Sequence, residues 1–426
     1  MQTDRVAPGS GTRRAEPPGL LAHGTDAAAQ SPQPFRLAFS GSGSEYFRVW
    51  IVNLLLNVVT LGFYTPFARR RTAQYFYSHT LVADSPLEFT AQQRKMVFGF
   101  LLLVVLYMAF RLAADTGQDT AVSAFLLAAA ALAPYLWASA MRFRLSATRW
   151  RGVRLQLTAG WGEVYRASWP MFAIALVWIL FMLAFAMFPD DVPAPAKNSF
   201  LVRWRAQPQL AWPLLATALV LTLLCIIRLE FNYKSLLFSR AHIGTQAGRW
   251  KPAYRDFVRI WLAALAVLLA GMIVIAIVPA VLMGAWVVML FKTKLHLGLW
   301  AIISYIVFGV LLVFSLFLAT APARAYRQAR MFQLVWNNVG VSGIARFKCR
   351  LRARPYVLLR LKNMLLALVT LGFYRPFAMI SEYRMKTESV TLHVKGGLNQ
   401  LVGQLVRQQD GIGDALADAV GLDLVG

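Results

Sequence analysis

The residue types that most often carry catalysis are present in this chain but never assembled. Five histidines, His23, His79, His242, His296 and His393, stand singly, without His-Glu-x-x-His or any other metal-ligand spacing. Cys225 lies in an apolar run and Cys349 in a basic stretch, and no Cys-x-x-Cys pair exists. There is no Gly-x-Ser-x-Gly elbow and no Walker loop. The Gly-rich run 41-GSGSEYF-47 lacks the spacing of a phosphate loop. A proton-coupled pump would carry a carboxylate in the middle of an apolar span. Here Glu230 and Arg228 sit at one end of such a span, and Arg111 near the end of another. A charge at the centre of a membrane helix costs about 2.5–3.5 kcal/mol, so a span without one is the default. These residues point to no enzyme, no metal and no cofactor.

The polar residues with a pattern are of another kind. The stretch 46-YFRVWIVNLLLNVVTLGFYTPFA-68 returns without a gap as 356-YVLLRLKNMLLALVTLGFYRPFA-378. Tyr46 matches Tyr356, Asn53 matches Asn363, Thr60 matches Thr370, Gly62 matches Gly372, Tyr64 matches Tyr374 and Pro66 matches Pro376. Shared hydrophobicity does not reproduce polar and helix-breaking positions. Asn and Thr lie seven residues apart in both copies, so they share a helix face. An amide on that face must turn toward protein, because lipid offers it no partner. The first expectation for all twelve positions, together with Asn57, is that they cap and bond a broken membrane segment; a binding site comes second. Weaker tyrosine elbows appear at 163-EVYRASWPMF-172 and 252-PAYRDFVRIW-261. These tyrosines read first as anchors at the membrane interface.

The elements that must position these residues are set by composition. The chain has 426 residues, 58% of them hydrophobic, against about 45–50% in a soluble domain. Mean hydropathy is +0.53. The excess lies in blocks near 96–113, 121–141, 169–188, 210–229, 259–283 and 299–321, each close to the ~20 residues that cross a bilayer. The fold class expected is therefore an all-α polytopic membrane protein with about six full transmembrane helices and two broken or re-entrant apolar segments, 49–68 and 357–378.

The formal charge of +25 lies between these blocks, not on a separate domain, so it reads as topology, not as nucleic-acid binding. Arg142, Arg144, Arg149, Arg151 and Arg154 fill one connection, and Arg346, Lys348, Arg350, Arg352 and Arg354 lie in another. The alternate connections carry Asp115, Asp119, Asp190 and Asp191. The bias places the basic loops, and with them both termini, in the cytoplasm. Segments 49–68 and 357–378 must then enter and leave on one face. Val49 to Val59 is long enough for about half a bilayer before Thr60-Leu61-Gly62 interrupts it. The alternative is an ordinary spanning helix capped by Pro66. Period-two alternation at 80–91, 153–159, 347–353 and 389–397 suggests small cytoplasmic β-hairpins. Residues 1–34 read as a disordered Pro-rich arm without a signal peptide, 35–397 as the membrane domain, and 398–426 as an acidic or amphipathic tail.

The runs 39-FSGSGSEYFRVWIVNLLLNVVTLGFYTPFARRR-71, 148-TRWRGVRLQL-157 and TLGFYRPFA resemble the signature of the YjgN-like family of bacterial inner-membrane proteins, from Phe35 to about Lys395. The resemblance implies a multi-pass protein of the inner membrane and no particular reaction. Two functions remain open on the residues. One is transport or facilitated passage of a small solute, since broken half-helices build midplane sites in transporters. The other is a membrane scaffold or lipid-associated factor whose basic loops meet the bilayer, anionic lipids in particular. Twin segments lying side by side around a cavity would favour the first; twins far apart and filled would favour the second.

Overall fold

A computed structural model describes residues 33–187, 208–244, 246–251, 253–293, 299–341 and 345–395, with most of 276–318 described at the level of the backbone. A split strand, β1 (Gln33–Arg36) and β2 (Ala38–Phe39), leads into helices α1 (Gly43–Val59) and α2 (Thr65–Ser78). The hairpin β3 (Thr80–Val82) and β4 (Ser85–Phe89) follows, then α3 (Gln93–Asp115) and α4 (Asp119–Ser146). The hairpin β5 (Thr148–Trp150) and β6 (Val153–Leu157) precedes the short α5 (Trp161–Ala167), then α6 (Trp169–Ala186) and α7 (Pro208–Ser239). The hairpin β7 (Ala241–Ile243) and β8 (Gln246–Trp250) leads to α8 (Tyr254–Thr293) and α9 (Leu299–Asn338). Finally β9 (Val339–Val341) and β10 (Ala345–Cys349) precede α10 (Ala353–Val369), α11 (Arg375–Glu388) and β11 (Val390–Val394).

The all-α expectation is wrong. The strands join into one antiparallel sheet of eleven, in the order β1-β11-β10-β9-β8-β7-β6-β5-β4-β3-β2. Its two edge strands are neighbours in the chain. Residues 33–36 pair with β11, Leu37 N–H donates to Val390 O at 3.1 Å, and Ala38 and Phe39 pair with β3. One continuous segment thus straddles both edges and nearly closes the sheet into a barrel. The stretches expected as separate hairpins are strands, but each pairs with its neighbours. The physical reason is that an isolated two-stranded hairpin is marginal and its free edges seek partners. Val82, Trp150, Val341, Leu392 and Leu37 turn inward, onto Phe332 and Trp336 of α9. A cavity of about 340 Å³ remains among them.

The same joint recurs five times among the described residues. The residue that leaves a strand donates its N–H to the carbonyl closing a helix: Ser40 to His79, Thr90 to Ala147, Thr158 to Arg240, Lys251 to Asn338 and Arg350 to Ser389, at 2.8–3.0 Å. Six residues after each donor come Tyr46, Met96, Val164, Phe257 and Tyr356, and all but Met96 are buried. The described residues are therefore arranged as five helix pairs on five strand pairs, with the short α5 before the third helix pair, in a pseudo-fivefold plan. Consecutive helices pack against each other all the way round, and α11 packs back on α1. Between α4 and α6 the link runs through the seven-residue α5, so it is at their barrel ends that the helices follow one another round.

Five described helices are long and apolar enough to cross a membrane: Gln93–Asp115, Asp119–Ser146, Trp169–Ala186, Gln209–Ser239 and Tyr254–Ile275. The sixth expected span, 299–321, falls in the first half of α9, where most side chains up to 318 are not described. The expected arm 1–34, apart from Gln33 and Pro34 in β1, and the tail 398–426 lie outside the described residues.

Candidate functional site

The matched segments adopt the same broken helix. In the first, Thr60 Oγ1 donates to Leu56 O at 2.7 Å and accepts from Tyr64 N–H at 3.0 Å. In the second, Thr370 Oγ1 donates to Leu366 O at 2.7 Å and accepts from Tyr374 N–H at 2.9 Å. One hydroxyl thereby satisfies two backbone groups that the break exposes. Gly62 and Gly372 take φ of +91° and +93°, a region that side chains resist. The chain reverses there and returns as α2 or α11. Pro66 and Pro376 sit in the first turn, where no intrahelical N–H is needed. Leu61 and Leu371 crown the two turns at 90% and 89% exposure, beside Phe63 and Phe373. Apolar tips of this kind suit hydrocarbon. Both segments leave the barrel and come back to it.

The asparagines face their own returning helix. Asn53 Nδ2 donates to Ala68 O at 3.5 Å. Asn363 Nδ2 reaches Ala378 O at 3.4 Å, Ser381 Oγ at 3.0 Å and Glu382 Oε1 at 3.3 Å. Tyr46 and Tyr356 are both buried, with hydroxyls directed to Met379 Sδ at 3.9 Å and Gln328 Oε1 at 3.0 Å. They pin the start of α1 and α10 to neighbouring elements. Tyr64 and Tyr374 stack on Phe67 and Phe377 at the turns.

The two hairpins lie side by side, but the seam between them is filled. Phe47 stacks on Phe377 with centroids 5.8 Å apart, and Trp50 meets Phe373 edge-on at 6.3 Å. A Cβ at Gly43 would stand 2.5 Å from the Phe377 ring, so glycine sets this approach.

The open space is on the other flank of the first hairpin. A groove of about 800 Å³ runs between α1 and α2 on one side and α4 on the other. Asn53, Asn57, Arg69 and Arg144 give it polar groups, and Leu54 and Phe143 are among its apolar walls. No carboxylate lines it among the described residues. The second hairpin differs at the same positions. Arg69 matches Met379, Asn57 matches Ala367, and Trp50 and Thr72 match Arg360 and Glu382. Arg360 pairs with Glu382 at 3.6 Å, and Glu382 also takes the Asn363 amide. The second hairpin is thus internally neutralised where the first presents unpaired positive charge.

In the sequence Arg144 reads as a topology signal in a basic connection and Asn57 as a cap, while Arg69 is one of three arginines that follow the first segment. A position-by-position comparison of the repeats exposes Arg69, because its counterpart is methionine. Glu230, placed at a helix end, is a hub instead. It accepts from Lys234 Nζ at 2.6 Å, Trp261 Nε1 at 2.8 Å and Arg327 Nη1 at 3.1 Å, tying α7, α8 and α9 together.

A second basic surface lies on the barrel wall. Along β10, Ala345, Phe347 and Cys349 face the core and Arg346 and Lys348 face out. With Arg350, Arg352, His393 and Lys395 they line a hollow of about 930 Å³.

Known proteins similar to this chain are bacterial. A family model described as "Bacterial protein of unknown function (DUF898)" matches residues 34–419. The inner membrane protein YjgN of Salmonella typhimurium is 25% identical over 141 residues, 33% of this chain and 35% of that one. The protein of the same name from Escherichia coli K12 is 22% identical over 165 residues, 38% of this chain and 41% of that one. The aligned part therefore spans well under two thirds of these relatives. No solved structure matches the chain.

Proposed function

We propose, for a chain that belongs to the DUF898 family of YjgN-like bacterial proteins, a role in binding anionic amphiphiles at the inner membrane. The chain is a multi-pass membrane protein of the bacterial inner membrane. One observation carries the proposal: the groove beside the first hairpin holds Arg69 and Arg144 with no carboxylate in its lining among the described residues, whereas the matched hairpin carries Met379 and an internal ion pair. Unpaired guanidinium groups beside apolar walls fit a headgroup with acyl chains. Asn53 and Asn57 would orient the headgroup. The basic hollow on the barrel wall would hold the same leaflet's anionic surface. This is the lipid-associated reading, with the barrel and both termini in the cytoplasm.

Passage of a small anionic solute is the second reading. Two broken half-helices in contact favour it, since such breaks line midplane sites in transporters; the filled seam between Phe47 and Phe377 weighs against it. The test is lipid retention. Protein in nanodiscs of phosphatidylcholine with phosphatidylglycerol should keep the anionic lipid on extraction, and Arg69→Gln with Arg144→Gln should weaken retention about tenfold. Equal retention by parent and variant would defeat the lipid reading. Anion flux in proteoliposomes that falls with the same variants would support the solute reading instead.

A further inference from the structure

The barrel has more room than its own side chains fill. About eight strands make a barrel just wide enough for its side chains or for one small ligand, and this sheet has eleven. Phe332 and Trp336 of α9 enter the interior and leave the cavity of about 340 Å³ beside them. Its lining is almost wholly apolar, with Leu155, Ile243 and Leu392 among the walls. A void of that size left empty would cost as much as a domain's whole stability. Water is a poor filler, because each molecule needs roughly two to four polar partners, and those of the lining are engaged. Thr80 Oγ1 donates to Phe76 O at 2.6 Å and meets the Tyr383 hydroxyl at 2.9 Å. Thr148 Oγ1 donates to Arg144 O at 2.9 Å, and Trp150 Nε1 donates to Val82 O at 3.1 Å.

Charge and position say what fits. Lys386 is the one charged residue lining the cavity among the described residues. The acids of its own helix are engaged elsewhere: Glu382 takes Arg360 and the Asn363 amide, and Glu388 takes Arg384. The ammonium stands over the Tyr356 ring at 5.1 Å, and burial pushes it down to about 8. An anion in the cavity would give it a counter-ion. The cavity also lies one layer from the groove beside the first hairpin. Tyr77 and Phe89, their rings 5.2 Å apart, line the groove. Thr148 lines the cavity, with its Oγ1 3.4 Å from the Tyr77 hydroxyl, and so does Leu87, two residues before Phe89 on β4. A molecule that enters the groove from the bilayer thus meets the barrel interior across a single wall of side chains. Since a dry cavity of about 150 Å³ takes up benzene, one of about 340 Å³ suits a single chain of roughly a dozen carbons and is too small for a diacyl lipid.

We infer that the barrel interior is a binding site for one medium-chain fatty acid, its chain among Leu155, Ile243 and Trp336 and its carboxylate on Lys386. The site is distinct from the groove and does not rest on the role given to Arg69 and Arg144.

The test is saturable binding of radiolabelled dodecanoate and dodecanol, which share a chain and differ in charge, to protein in nanodiscs, with empty nanodiscs as the blank. The parent should take up one dodecanoate per chain and bind it about tenfold more tightly than dodecanol. Lys386→Met should lose that preference and bind dodecanol as the parent does. Leu155→Phe and, separately, Leu87→Phe should weaken both ligands severalfold by filling the cavity; two variants are used so that one that fails to fold leaves the other. Equal affinity of the parent for acid and alcohol, or a preference that survives Lys386→Met, would overturn the inference. So would binding indifferent to the filling variants, which would put the chain outside the barrel. Absence of saturable binding of either ligand would mean that the protein fills its own interior, and would overturn it as well. Arg69→Gln with Arg144→Gln should leave dodecanoate binding unchanged, so this site and the groove can fail separately.

Discussion

Asn363 has three acceptors on its returning helix, and Asn53 has one long contact. Replacing either by leucine removes a bond that lipid cannot replace. The expected loss is about 1 kcal/mol for Asn53→Leu, with a larger loss for Asn363→Leu, which also takes a donor from Glu382. Thermal unfolding in detergent measures both, and equal stability of the two variants would show that the count of partners is immaterial. Lys386 offers a pH test. It lies over the Tyr356 ring at 5.1 Å, and burial, with Arg360 adding to it, pushes its ammonium down to about 8 while Glu382 opposes. Between pH 8 and 10.5 the unfolded chain then holds a proton that the folded one has released. Stability should rise with pH across that window, and the cost should be fully present below 8. Comparing the parent with Lys386→Met between pH 7.5 and 9.5 isolates this: the parent should gain on the variant as pH rises. A constant difference would mean that Lys386 titrates normally.

At the level of the element, the turn is the unit to break. Gly62→Ala and Gly372→Ala force a side chain into the left-handed region at about 1–2 kcal/mol each. Thr60→Val removes both bonds of its hydroxyl and should cost at least as much. If unfolding midpoints did not move for Gly62→Ala, the reversal at the tip would be in doubt. These hairpins were readable in the sequence because Thr, Gly, Tyr and Pro each do something a helix cannot, and they do it twice. The barrel was not readable. Its strands are two to five residues long, too short for alternation to stand out from chance. Their partners are set by ring order, which no local pattern carries. The five joints share one backbone hydrogen bond and, at four of them, one buried position, but the residues filling that position are Tyr, Met, Val, Phe and Tyr. Tyrosine marked the elbow at four joints, and Gln92–Met96 kept the fifth hidden. Arg69 was legible only as a charge, because its meaning depends on Met379 across the repeat.

For the whole molecule, closure and orientation can be tested separately. Leu37 bridges the two sheet edges and is 7% exposed. Leu37→Ala should cost about 2–5 kcal/mol, as for other buried leucines, and should loosen β3 and β11 together. Hydrogen exchange at Leu81 and Leu392 would show whether the two edges respond as one. Because the described chain starts and ends in the barrel, its two ends share a side of the ring. A cytoplasmic reporter fused after Gly426 should be active, and a periplasmic reporter at that position should be silent. The reverse result would turn the barrel outward and refute the orientation proposed from the basic loops.

The pairing of β1 with β11 also has a timetable. Arg36 meets Thr391, and the residues between them must be made first. At about 5–20 residues per second, that interval is on the order of 20–70 s. Throughout it the first strand exists without its mate, and the growing sheet carries an open edge that can pair with the wrong chain. Each joint can form as its own segment emerges, so the ring can be assembled in order and locked last. A ribosome stalled before Val390 would hold a protein complete in its membrane helices yet unsealed. Quality control that senses a free strand edge would have its clearest target in that interval.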